Sequence, residues 1–100
     1  MTADINKIQE KIMEFAEKRA KIKNFRLDEE TSLIHLMEEL GELSSQMFNK
    51  KARPEKFKPE NLKEEVCDII LESMILSKIL NIDLPKELNN KIDELNNREL

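Results

Sequence analysis

Two pairs of acidic residues, Glu39 with Glu42 and Glu65 with Asp68, repeat one spacing on two separate stretches of the chain. In a helix, residues three apart stand almost above one another, so each pair directs two carboxylates to one place. At about 100° per residue, His35, Glu39, Glu42 and Gln46 fall within roughly 60° of one another, beside an apolar stripe of Leu36, Leu40, Leu43 and Met47. Asn61, Glu65, Asp68 and Glu72 likewise form one stripe beside Leu62, Ile69 and Leu76. Neither stripe contains a basic residue, although exposed helices usually set acids against Lys or Arg one turn away. Carboxylates gathered beside a core must take up protons or acquire cations. A hard divalent cation answers that need, and magnesium in particular links a few carboxylates to the phosphates of a substrate. Glu38 lies outside the first stripe, on the solvent side.

The elements that must carry these acids are helices. Ile5, Ile8, Ile12, Phe15 and Ala16 recur at helical spacing and predict a first helix from Asp4 to about Lys23. Asp28, followed by Glu29 and Glu30, caps a second helix running to about Lys51. The basic stretch from Asn49 to Lys58 contains Pro54 and reads as a loop, and Pro59 suits the first turn of a third helix ending near Asn81. From Ile69 to Leu80 that helix is apolar on nearly every side, which requires cover all round. Asp83, Pro85 and the series Leu84, Leu88, Ile92 and Leu95 predict a shorter fourth helix. The expectation is a single all-α domain over residues 1–100, a four-helix bundle-like protomer. Because three neighbouring helices hardly bury the third, a homodimer or homotetramer is expected, with the third helix packed on its counterpart.

Composition narrows the function. The chain has 100 residues, of which 38% are charged and 39% apolar, with one Gly and no Trp or Tyr. Its formal charge is −4 and its basic residues do not line one helix, which argues against a nucleic-acid partner. No apolar run is long enough to span a bilayer, and Met1 to Lys11 alternates charge with isoleucine, unlike an export signal. A cytoplasmic, membrane-free protein is expected. One cysteine and one histidine exclude an internal disulfide and a Cys/His zinc cage, and Cys67 is read as a small core residue.

The segments HLMEELGELSSQ (His35 to Gln46) and LKEEVCDIILESMILSKILNIDLPKEL (Leu62 to Leu88) resemble the MazG-like, all-alpha NTP pyrophosphatase superfamily. That family's signature is Glu-x-x-Glu, a spacer, then Glu-x-x-Asp, which here are Glu39, Glu42, Glu65 and Asp68. FAEKRA (Phe15 to Ala20) is similar to the first helix of its small, dCTP-hydrolysing branch. The resemblance implies hydrolysis of a (d)NTP to the monophosphate and pyrophosphate, with the four acids holding Mg²⁺, or Mn²⁺ in its place, in a dimeric or tetrameric helical assembly. It also implies a C-terminal Lys, Asn, Arg series for phosphate or sugar. Lys91 and Arg98 fit that series, whereas Leu95 stands where the asparagine belongs.

Within that reading, Glu38 or Glu42 takes the proton from an attacking water, with Glu42 also a metal ligand. Glu72 lies where the family lines its base pocket, and otherwise reads as an acid paired with a Lys of another helix or subunit. His35 either meets the nucleotide or pairs on the helix surface. Lys51 and Arg53, in the basic loop with Lys50, Lys56 and Lys58, are candidates for holding the triphosphate, and Phe48 and Phe57 either stack on a base or anchor the loop. Two competing readings are a non-catalytic helical interaction module and a di-iron bundle, the latter disfavoured because it needs two Glu-x-x-His motifs. A related enzyme such as phosphoribosyl-ATP pyrophosphatase would share the metal site.

Overall fold

The computed structural model describes residues 4–99; Met1 to Ala3, part of the stretch read above as unlike an export signal, lie outside it. The fold is all-α: α1 (Ile5–Lys23), α2 (Glu29–Ala52), a 3-10 turn (Pro54–Lys56), α3 (Pro59–Ile79) and α4 (Leu84–Glu99), with no strand among the described residues. Among these residues no helix is long and apolar enough to cross a membrane.

Local chemistry sets the boundaries. Asp4 caps α1 by accepting from the Asn6 amide at 2.9 Å. Asn24 ends it in the left-handed region at φ 54°, a conformation asparagine tolerates. Asp28 and Thr31 form a reciprocal capping box at the start of α2, each side chain accepting from the other's backbone amide at 2.9 and 3.0 Å. The α2 helix ends at Ala52, within a residue of the end expected near Lys51 and two residues before Pro54, so the first residues of the basic stretch from Asn49 are helical. The irregular connection is therefore short, and the Lys58 amide donates back to Gln46 Oε1 at 3.4 Å.

Helices α2 and α3 lie side by side as a hairpin, α1 packs on α3, and α4 rests mainly on α1. The buried face of α1 is Gln9, Ala16 and Ala20. Of the stripe that sequence periodicity singles out, Ala16 lies on this face, whereas Ile5, Ile8, Ile12 and Phe15 centre roughly 80° away from it. Small side chains allow α1 and α3 to approach, and the Gln9 amide clasps them by donating to the Met74 carbonyl at 3.0 Å and Ser77 Oγ at 2.8 Å. Among the described residues, Ile75 is the one large apolar side chain that is fully buried. Cys67 is exposed rather than in the core, because the positions that α3 buries are Glu72, Ile75 and Ser77, nearer its C-terminal end. One chain does not cover α3, since Val66 and Ile70 remain about half exposed.

Candidate metal centre

The hairpin brings the predicted acids together. Glu39 and Glu42 project from the middle of α2 and Glu65 from α3, and one carboxylate oxygen from each lies within 4.8 Å of the others. Three carboxylate oxygens this close can be drawn onto one hard divalent cation by side-chain rotation. Asp68 is not among the three, but its charge acts on both Glu39 and Glu65. It also lines, with Glu39, a hollow between α1, α2 and α3.

The electrostatics are those of uncompensated anions. Partial burial raises Glu39 most, and the charges of Glu42, Asp68 and Glu65 add to it, so that its carboxyl is pushed up to about 7. Glu65 is raised for the same leading reason, followed by its contact with Glu42. Buried oxygens Glu39 Oε2 and Glu65 Oε2 meet no donor of the protein. Orphaned acceptors in a like-charged cluster are what a divalent cation satisfies, and the all-oxygen donor set suits magnesium or manganese.

The hollow has a volume of about 420 Å³. Glu39 and Asp68 form its acidic wall; Ile12, Phe15 and Leu71 are apolar, and Arg19 and Glu72 complete it. Arg19 Nη1 donates to Glu72 Oε1 at 2.8 Å, with both side chains largely buried, and the Arg19 guanidinium lies 5.4 Å from the centre of the Phe15 ring. Arg19 Nη2 approaches His35 Nδ1 at 3.3 Å, which makes Nδ1 the acceptor and places the ring proton on Nε2. Phe25 packs against the same ring edge-on, at 5.2 Å between centroids. His35 therefore holds Arg19 in place and does not line the hollow, and Glu72 is paired with an arginine of α1 rather than a lysine.

Arg19, Ile12, Phe15 and Leu71 were not foreseen as site residues. The available signal was that Arg19 is the one charged residue on the stripe of Ile8, Ile12, Phe15 and Ile22, where a cation implies a buried partner.

The predicted substrate cations are not brought to the acids. Lys51 is exposed nine residues beyond Glu42, about 13 Å further along α2. Arg53 lies over the Phe48 ring at 5.5 Å and lines a different hollow with Ser44, Ser45 and Lys56, while Lys50 lies over Phe57 at 6.0 Å. The aromatic residues thus anchor the basic loop's own cations. On α4, Lys91 and Arg98 both reach Glu94, at 3.4 and 2.9 Å. Glu38 is exposed.

Compared with models of known protein families and with curated proteins, the chain matches none.

Proposed function

We propose that the chain is a divalent-metal-dependent nucleoside triphosphate pyrophosphohydrolase, cleaving a (d)NTP to the monophosphate and pyrophosphate. The observation that carries this reading is the convergence of Glu39, Glu42 and Glu65 from two helices, with no cation among them, next to a hollow of about 420 Å³ walled in part by Ile12, Phe15 and Leu71. The paired spacing and the wider likeness to MazG-like sequences point the same way.

In this reading Glu39, Glu42 and Glu65 hold magnesium or manganese, and Asp68 joins them from the adjacent turn of α3. The metal would neutralise the triphosphate and lower the pKa of a bound water. Glu42 lies at the edge of the cluster, where it accepts a proton from an attacking water; Glu38, exposed on the outer flank, is the weaker candidate for that role. Phe15, Ile12 and Leu71 offer a stacking surface for a base, and the Arg19 and Glu72 pair offers both a donor and an acceptor at its edge. A cytosolic setting accords with a single exposed thiol.

A panel of NTPs and dNTPs, assayed for monophosphate and pyrophosphate with and without magnesium, tests the proposal. Glu39→Ala and Asp68→Ala are expected to lower turnover by at least about a hundredfold while helicity by circular dichroism is retained. Unchanged turnover in either variant would remove that residue from the metal set, and no product from any nucleotide would leave a non-catalytic helical module as the better reading.

A further inference from the structure

Three of the four arginines hold a carboxylate: Arg19 pairs with Glu72, Arg26 with Asp28 and Arg98 with Glu94. Arg53 does not. Its guanidinium lies instead over the Phe48 ring at 5.5 Å, where α2 gives way to the 3-10 turn. Lys50, Lys51, Lys56 and Lys58 are its neighbours in the chain, and among the described residues none of these five cations is in an ion pair. Glu55 is the one acid between residues 50 and 58, so five cations less one acid leave +4 on a stretch of a chain whose total is −4. Crowded positive charge costs free energy that a bound anion relieves.

Arg53 and Lys56 wall a hollow of about 580 Å³ together with Ser44, Ser45, Phe48 and Asn49. The hydroxyls of Ser44 and Ser45 and the side-chain amide of Asn49 make no hydrogen bond among the described residues, whereas Ser73, also within a helix, donates back to the Ile69 carbonyl at 2.8 Å. The hollow therefore presents two cations and three uncommitted donors, and no carboxylate lines it. Such a donor set matches the oxygens of a phosphate. Stacking on Phe48 fixes the plane of the Arg53 guanidinium in advance, which lowers the side-chain entropy that binding costs. Ser44, Ser45, Phe48 and Asn49 centre about 120° round α2 from Glu39 and Glu42, and Arg53 lies eleven residues, about 16 Å along the axis, beyond Glu42. A phosphate held here is thus not one held at the acids.

We propose that the end of α2 and the 3-10 turn form a second binding site, for a compact phosphate anion with two adjoining phosphoryl groups, of which pyrophosphate is the simplest. Arg53 and Lys56 each take a phosphoryl group, and Ser44, Ser45 and Asn49 donate to the oxygens that remain. Two cations in the hollow and three more beside it favour a diphosphate over a single phosphate. The site does not rest on the metal reading, because it needs no metal ion.

Isothermal titration calorimetry with pyrophosphate tests it, on the wild type and three variants, in a buffer of low ionic strength stripped of metal over a chelating resin. Without a cation Glu39, Glu42 and Glu65 repel the anion, so binding reports on the basic hollow alone. The wild type is expected to bind one pyrophosphate per chain. Arg53→Ala and Lys56→Ala are each expected to weaken that binding at least about tenfold, the loss of one charge-assisted contact. Lys7→Ala, at an exposed position on α1, removes the same charge elsewhere and is expected to leave it unchanged. Circular dichroism checks that each variant keeps its helices. Titrating a nucleoside diphosphate beside pyrophosphate distinguishes a free anion from the end of a nucleotide, both of which carry the group proposed. No binding at millimolar pyrophosphate overturns the proposal, as does an equal loss in all three variants, which diffuse attraction would produce. Binding that appears only when magnesium is added also overturns it, because the anion is then at the acids. A single-stranded oligonucleotide that binds more tightly than pyrophosphate replaces it with a nucleic-acid surface. Hydrolysis plays no part in these readouts, so this site and the proposed activity fail separately.

Discussion

Glu39→Gln is expected to stabilise the metal-free protein above neutral pH and to weaken its response to metal. The carboxyl of Glu39 rises from 4.5 to about 7 in the folded chain, mainly through burial and then through the charges of Glu42, Asp68 and Glu65. Between those two values the native state holds a proton that the unfolded state has released. Stability therefore falls as pH rises through this window, and stays lower above it. At about 1.4 kcal/mol per pH unit, the shift sets a ceiling of about 3 kcal/mol; water at the rim of a half-open cluster screens it to about 1 kcal/mol. The glutamine amide carries no charge and can donate to Glu65, so the variant escapes the penalty. For a chain of this size, about 1 kcal/mol corresponds to a rise of roughly 5 °C in Tm. The assay is thermal unfolding by circular dichroism in EDTA, at about pH 5 and pH 8 and at matched protein concentration, because assembly makes Tm depend on concentration. The difference should be largest at the higher pH and small at the lower. Magnesium or manganese should then raise the wild-type Tm more than that of the variant. A variant that is less stable than the wild type at about pH 8 without metal, or that differs from it equally at both pH values, refutes the account of the cluster.

Two further outcomes follow from the packing. Ile75→Ala empties the site of the one large, fully buried apolar side chain, and is expected to cost about 3 kcal/mol in a denaturant melt; a loss well under 1 kcal/mol would mean that the α1–α3 joint is held elsewhere. Glu72→Ala leaves the Arg19 guanidinium without its carboxylate in a site where both side chains are largely buried, at a cost of about 3 kcal/mol. The Arg19→Met, Glu72→Leu double variant should recover most of that loss, and additive single losses would show that the pair is not coupled.

The four helices were legible in the sequence because their caps and breakers are strong: Asp28, Pro54, Pro59 and Asp83 each stand within a few residues of an observed boundary. The pairing of Glu39 with Glu42 and of Glu65 with Asp68 was legible for a related reason, since helical spacing alone determines which residues share a face; that Asp68 stays outside the cluster of three was not. What periodicity could not supply was the rotation of each helix against its neighbours. The isoleucine stripe of α1 is the most apolar choice, but close approach to α3 selects Ala16 and Ala20, and leaves Phe15 53% exposed. Cys67 was misplaced in the same way, being apolar enough for a core position on a helix whose outer flank is also apolar. The Arg19, His35 and Glu72 contacts join three helices, and no spacing within one helix encodes them.

Glu72 separates the two roles that acids take in this molecule. It follows Asp68 by one turn on the same stripe, and by sequence alone it is as good a metal ligand as the others. Arg19 removes it from that set, because a carboxylate that already holds a guanidinium at 2.8 Å has little left to gain from a distant cation. Glu39 and Glu65 have no such partner: Glu72 Oε2 is buried without a protein donor just as their Oε2 atoms are, but only theirs belong to carboxylates that hold no guanidinium. Glu39 and Asp68 line the hollow as well, so what separates Glu72 from them is the guanidinium of Arg19 on α1. The same helix supplies Ile12 and Phe15 to the hollow, so the position of α1 over α3, held by Ala16, Ala20 and the Gln9 clasp, decides both which acid receives the guanidinium and which apolar side chains line the hollow.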